Sequence, residues 1–461
     1  MTDETESTWI CHACIGDSFL NEEVRSGGKW AKCSYCGTMR ESLSLEELAN
    51  RIHEVLEEHF NLTTERLGEP VGYVIQEIAS VDERIAEGVR KRLSDLHADD
   101  DVWRSDWEDR FGDGAFYEAR GPGEWCLRES WKRFRREIQF RSRFFSPRQA
   151  LDEIFRDIGT LRAWKGAPVI RETGPDDQNR YIFRARVAQS KQELWDILSV
   201  PEKRLGAPPS RTAKAGRMNA AGISVFYGAR DEDTCIAEIR APVGSYVVVG
   251  RFEIIRPVRL LDSDVLAKVF AGSYFDPEFR KQSNRAAFLR SLVHEISRPI
   301  MPRDDEFDYL PTQAVSEYLA SCVEPRLDGL VFHSSQMAGE GRNIVLFNHS
   351  RHVEPYNRPE SRVLFFSMGR ATEDHYDDGI TIFEYFGPPE KAPDPVEFAS
   401  PPDAILVVRN QDNGGDDLEY QDDATLRLDV EGIRVLKIEA ARYRAQDLDV
   451  RWYAPPRFEG A

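Results

Sequence analysis

Three textures of apolar and polar positions follow one another along the chain. From Ser44 to about Ala98, apolar residues return every three or four positions. Leu45, Leu48, Ile52, Val55, Leu56 and Phe60 make one stripe. Val74, Ile78, Val81, Ile85, Val89 and Leu93 make another within Val71–Leu96. That period lines one face of a helix, and neighbouring helices of this kind pack as antiparallel hairpins. Ser44 with Glu47 three positions on predicts a capping box at the start of the first. Trp125–Arg148 is denser, setting Arg128, Lys132, Arg133, Arg135, Arg136, Arg141, Arg143 and Arg148 among Trp125, Trp131, Phe134, Phe140, Phe144 and Phe145. Such a mixture suits a nucleic acid or an acidic partner, although aromatics at helical spacing more often enter a core.

After Gly166 the stripes give way to short alternating runs separated by Gly, Pro and Asn, the texture of strands. Arg180–Val187 alternates apolar residues with arginines. Gly216–Pro242 predicts a glycine-rich loop, a strand over Ile223–Tyr227, and a helix over Thr234–Arg240 with Asp231 as its N-cap. Ser245–Asp262 is strand-like, and Asp328–Asn348 predicts two strands around a glycine-rich bend. Beyond Asn357, Phe386–Asp403 reads as a loop, while Ala404–Asn410 and Ile433–Arg444 are strand-like. The acidic stretch between those strands lacks the even spacing of an EF-hand and predicts a solvated loop. The fold class is therefore α+β and multidomain, with boundaries expected at 1–42, 43–165, 166–356 and 357–461.

Composition narrows the classes. A chain of 461 residues, 41% hydrophobic and 31% charged, is globular and too long for a single ordinary core. Its net charge of -19 argues against general nucleic-acid binding outside local basic patches. No apolar run of about 18 residues predicts a membrane span. Met1–Thr8 is polar and acidic, unlike a secretory signal, so the expected location is cytoplasmic.

Four of the seven cysteines fall in two Cys-x-x-Cys pairs, Cys11/Cys14 and Cys33/Cys36. Two such knuckles complete a tetrahedral Zn2+ site, with Gly27 and Gly28 turning the chain between them and a positive φ expected at Gly37. Four thiolates leave no open position, which predicts structural zinc; a redox switch that releases the ion is the competing reading. His12 should point away from it. Cys235 and Cys322 read as buried thiols, and His294 and His333 lack the partners of a nucleophilic triad.

The ordered set of motifs after Gly166 resembles the RES family. The matching pieces are Arg184 in "FRA", Gly216–Asn219 ("GRMN"), Tyr227 in "FYGA", Glu238 in "TCIAEIR", Ser334 and Ser335 in "HSS", and Asn343 in "RNIVLF". Tyr309–Leu319 is similar to the helix of longer RES proteins. Together with the cysteine ribbon and helical front, the chain resembles HEPN-fused RES architectures. The resemblance implies a mixed α/β domain related to the ADP-ribosyltransferase fold, with NAD+ as substrate and a toxin-like role. The activity it implies is hydrolysis or phosphorolysis of the nicotinamide–ribose bond, or ADP-ribose transfer to a macromolecule. Arg92 and His97, four residues apart, resemble the pair of HEPN ribonucleases; a ribonuclease effector with RES as nucleotide sensor is the reading from another class.

In that frame Glu238 stabilises the cationic sugar and orients the 2′-hydroxyl. The guanidinium of Arg184 suits phosphate oxygens, and Tyr227 stacks on nicotinamide. Ser334, with Ser335 as its alternate, bonds ribose or phosphate, and Asn343 serves the acceptor side. Arg217 and Asn219 either contact phosphate or shape the glycine loop. An antitoxin or inhibitory partner, an acidic or nucleic-acid partner at 125–148, and self-association stay open.

Overall fold

The computed structural model describes residues 8–97, 110–120, 125–143, 148–163, 166–269, 272–297, 305–337, 340–356, 361–371, 376–387, 389–393, 403–409, 423–441 and 448–451. Phe144, Phe145 and the acidic stretch 410–422 lie outside them. The chain divides into two compact units, Met1–Ile170 with Asp262–Pro325, and Arg171–Leu261 with Arg326–Ala461.

The first unit begins with a three-stranded sheet in the order Trp9–Cys11, Met39–Ser44, Lys29–Lys32. A ten-residue helix, Ser18–Gly27, occupies the span between the cysteine pairs and is capped at Gly28. The helix Leu45–His59 starts on the expected capping box: the Ser44 hydroxyl accepts from the Glu47 amide, and the Glu47 carboxylate accepts from Ser44. Its stripe of Leu48, Ile52, Val55 and Leu56 is buried with Val74, Ile78, Ile85, Val89 and Leu93.

The second stripe is not one helix. It divides into Val71–Ala79 and Glu83–His97 because Ser80 takes a left-handed conformation (φ 48°). Asp82 then restarts the chain by accepting from the Ile85 amide at 3.0 Å. In Trp125–Phe140 the aromatics turn inward. Trp131 stacks on Phe134 at 4.9 Å, and its indole donates to Glu295 at 2.8 Å. Both rings are buried, so they act as core and not as stacking platforms. The helix Leu310–Ser321 ends at Cys322, which is exposed, contrary to the expectation of a buried thiol; Cys235 is buried as expected.

The second unit is built on an eight-stranded sheet. Its order is Leu426–Lys437, Tyr246–Ile254, Tyr181–Ala188, Phe226–Ala229, Arg342–Leu346, Gly329–His333, Val258–Asp262, Ile170–Thr173. Strand Phe226–Ala229 begins later than the apolar run suggested. The Ile223 carbonyl is taken by the Asn219 side chain and the Ser224 hydroxyl by Pro208, so neither residue joins the ladder. The Ser245–Asp262 run is interrupted near Pro257, which cannot donate to a sheet. The last strand begins at Leu426 and ends at Lys437, pairing with Tyr246–Ile254 and shifting register between Val249 and Arg251. Ser361–Ala371, Tyr376–Phe386 and Ala404–Arg409 form a separate three-stranded sheet whose Phe366 stacks on Trp195 at 4.9 Å.

Alternation sorts the side chains of the large sheet. Ile182, Phe226, Val248, Phe252, Ile344 and Leu346 bury on one face. Ala185, Ala229, Val247 and Val249 bury on the other, beneath Cys235, Ile236 and Ile239 of the helix Glu232–Ile239. Gly228 sits where the central strands crowd, and an added Cβ would meet Ile182 and lie 2.9 Å from the Phe183 carbonyl oxygen. Gly228→Ala should therefore lower stability by about 1–3 kcal/mol, measured by denaturant unfolding; an unchanged midpoint would contradict this packing.

Candidate active site

The glutamate helix is set by its first turn. Asp231 accepts from the Thr234 amide at 2.7 Å and from its hydroxyl at 2.8 Å, as the sequence predicted for an N-cap. Thr234 is fully buried, and Gly341 approaches it so closely that a Cβ there would lie 2.8 Å from the threonine methyl. This approach brings the bend between strands Gly329–His333 and Arg342–Leu346 against the helix. The bend is closed by the Ser334 amide donating to the Gly341 carbonyl at 2.9 Å.

The result is a positioned carboxylate. One oxygen of Glu238, Oε1, accepts from the Ser334 hydroxyl at 2.6 Å and from the Asn343 amide at 2.7 Å. Ser334 and Asn343 are 2% and 8% exposed, so these donors are held by their surroundings, while Glu238 itself is only half-buried. Oε2 has no hydrogen-bond partner among the described residues. Ser335 does not share this contact; its hydroxyl accepts from Gln336 at 3.3 Å.

Tyr227 leaves its strand on the same side of the sheet as Asn343, because it pairs with Val345. Its hydroxyl donates to Asn219 Oδ1 at 2.9 Å and accepts from the Met218 amide at 2.9 Å. The Asn219 amide in turn donates to the carbonyls of Lys214, Ala220 and Ile223. Asn219 is thus committed to shaping the glycine loop, with Arg217 half-buried beside it.

Arg184 stands apart. It pairs with Gly250 and lies two positions from Ile182, which puts it on the sheet face opposite the glutamate helix. There its guanidinium lies 4.8 Å over the Phe226 ring and donates to the Tyr227 carbonyl at 3.1 Å. Burial first, and Arg186 second, push its pKa down, since neither favours the charged form. Tyr227 is therefore the junction, with its backbone holding Arg184 and its ring on the side of Glu238. No side-chain contact joins Arg184 to Glu238 among the described residues.

The four paired cysteines also converge. Cys11 lies 3.7 Å from Cys14 and 3.6 Å from Cys36, and Cys14 lies 3.9 Å from Cys33, sulfur to sulfur. All four sulfurs fall within 4.8 Å of one another. Sulfurs at about 2.3 Å from a common tetrahedral centre sit roughly 3.8 Å apart, so the set fits a metal ion. These separations are far beyond a disulfide bond of about 2.05 Å. Gly37 has the expected positive φ of 74°, although its amide donates to the Cys33 carbonyl and not to sulfur. His12 lies outside the cluster and faces Glu41 at 3.9 Å.

The Arg92–His97 pair is split between other contacts. Arg92 bridges Glu46 at 2.8 Å, and His97 stacks on His53 with ring centroids 4.1 Å apart.

Residues 182–365 match the family described as RES domain, and residues 27–151 match HEPN/RES N-terminal domain 1. The fold and the carboxylate site are thus those of a RES-domain protein. More particularly, the chain carries a RES domain behind a HEPN/RES N-terminal domain. No curated protein and no solved structure matches it. Among the described residues, no helix is long and apolar enough to cross a membrane.

Sequence reasoning identified Glu238, Ser334 and Asn343 but not Thr234 or Gly341, whose role is contact across the fold. It placed Tyr227 against a ligand, where the structure gives its hydroxyl to the loop. Tyr227→Phe removes a buried donor–acceptor pair and should lower stability by about 1–3 kcal/mol. It should also speed amide exchange at Met218 by about tenfold or more; protection equal to the parent would show that the hydroxyl does not hold the loop.

Proposed function

We propose that this protein is an NAD+-consuming enzyme that cleaves the nicotinamide–ribose bond, in a toxin-like role and on a domain related to the ADP-ribosyltransferase fold. The observation that carries the reading is the Glu238 carboxylate, held through one oxygen by Ser334 and Asn343 with the other oxygen open. A positively charged nicotinamide is already a good leaving group, so the reaction needs stabilisation of developing sugar charge more than acid catalysis. A fixed carboxylate supplies it: Oε2 accepts from a ribose hydroxyl and faces the oxocarbenium-like carbon as the bond breaks.

In this reading the C1′–N bond breaks and its electron pair leaves on nicotinamide. Water then adds to C1′ and releases a proton, giving ADP-ribose. With phosphate as acceptor the product is the corresponding sugar phosphate, and with a macromolecular nucleophile it is an ADP-ribosyl adduct. Arg184 takes the diphosphate, Tyr227 flanks the nicotinamide end, and Asn343 and Ser334 fix Glu238. Arg217 serves the phosphate side of the glycine loop. The ion at Cys11, Cys14, Cys33 and Cys36 is structural Zn2+, since four thiolates close its coordination.

Glu238→Gln keeps the shape and the two donors but removes the charge. Nicotinamide release from NAD+ should fall by about 10²–10³-fold, with ADP-ribose affinity changed only a few-fold. Release that is undiminished in the Gln variant would overturn the assignment of Glu238. Running the parent with and without phosphate separates phosphorolysis from hydrolysis.

The metal reading is checked separately by elemental analysis of the purified chain, which should give one zinc per molecule. Cys33→Ser should lose that zinc together with protection of the amino-terminal sheet. Retention of both would refute a structural ion.

A further inference from the structure

The glutamate site uses one face of the large sheet, and the opposite face carries an unneutralised positive cluster. Arg184 and Arg186 are two residues apart on strand Tyr181–Ala188, paired with Gly250 and Val248, and both project to the face of Ile182 and Phe252. That spacing puts their Cα atoms about 7 Å apart. Leu205 packs over the same place, since a Cβ on Gly250 would lie 2.9 Å from its Cδ1. Its chain neighbour Arg204, the last residue of the short helix Pro201–Arg204, is thereby carried to this face.

None of the three arginines has a carboxylate partner among the described residues. Arg184 is satisfied only by the Tyr227 carbonyl and the Phe226 ring. The contrast with the rest of this unit is direct. Arg180, Arg251, Arg256, Arg427 and Arg434 each meet an acidic side chain. In a chain of net charge -19, three neighbouring guanidiniums without a counter-ion are an arrangement that like-charge repulsion disfavours unless an anion completes it. The charged forms of both Arg184 and Arg186 are disfavoured first by burial. The remaining push comes from Arg186 on Arg184 and from Arg204 on Arg186.

We propose that Arg186 and Arg204 join Arg184 in a binding site for a phosphoryl anion, with the diphosphate of a nucleotide ligand as the chemistry that fits it. Guanidiniums offer paired donors that match phosphate oxygens, and a diphosphate presents enough of them to engage three forks. The proposal deepens the NAD+ reading and rests on it only for the ligand's identity. A dinucleotide's own diphosphate and a free phosphate are the two sources of the anion.

The test uses the full chain, its Arg186→Gln and Arg204→Gln variants, and calorimetric titration with ADP-ribose, pyrophosphate, inorganic phosphate and nicotinamide riboside. Each variant should weaken ADP-ribose and pyrophosphate binding by tenfold or more while leaving nicotinamide riboside within twofold. A loss confined to inorganic phosphate would assign the cluster to a free phosphate and overturn the diphosphate assignment. Affinities within twofold of the parent for every anion would remove the site altogether. Because each variant deletes a repelled charge, its ligand-free melting temperature should stay level or rise; a fall would mark the arginines as structural and contradict the proposal. Nicotinamide release is scored apart from binding. Arginine-dependent ADP-ribose binding without turnover would sink the NAD+-cleavage reading and leave the anion site standing, whereas turnover with unaltered KM in both variants would do the reverse.

Discussion

Two hydrogen bonds onto one oxygen of Glu238 organise the second unit's chemistry. The Ser334 hydroxyl and the Asn343 amide arrive from opposite sides of one glycine-rich bend. They can arrive only because that bend approaches Thr234 without a side chain at Gly341. The Asp231 cap fixes the first turn of the same helix and so sets where Glu238 stands along it. A carboxylate on a flexible stem loses rotamer freedom when it is fixed. Here two buried donors of short reach offset that loss, and the geometry exists before any ligand arrives.

The sheet distributes the remaining groups by its period of two. Glu238, Ser334, Asn343 and the ring of Tyr227 fall on the side of the glutamate helix, whereas Arg184 and Arg186 fall on the other. The strand Phe226–Ala229 lies between, short and with Gly228 at its crowded centre. Its Tyr227 serves both faces, giving its carbonyl to Arg184 and its hydroxyl to the glycine loop. The first unit contributes a different kind of order, a four-thiol cluster at one end and a stripe-to-stripe helical core beside it.

Much of this was legible in the residues because the relevant signals are local. The capping box at Ser44, the Asp231 cap, the cysteine pairs and the alternation of Arg180–Val187 each lie within a few positions and map directly onto structure. The misreadings share one cause, competition from side chains distant in pattern but near in space. Ile223 and Ser224 are apolar or small and read as strand, yet Asn219 and Pro208 claim their polar atoms. Val71–Leu96 keeps its helical period across a break, because Val81 stays buried on both sides of the left-handed Ser80. Cys322 lies beside apolar neighbours but falls one residue beyond its helix, where the side chain meets solvent. The opposed faces of Arg184 and Glu238 could not be read from motif order, since register between strands is a tertiary property.

The central claim is that Ser334 acts through Glu238, and a double-mutant cycle on nicotinamide release tests it most directly. Ser334→Ala and Glu238→Gln are measured singly and together in kcat. If the serine's work is to hold the carboxylate, the double variant should be no slower than Glu238→Gln alone, a coupling comparable to the full effect of Ser334→Ala. Multiplicative losses would show that the two residues act independently, and the positioned-carboxylate account would be wrong.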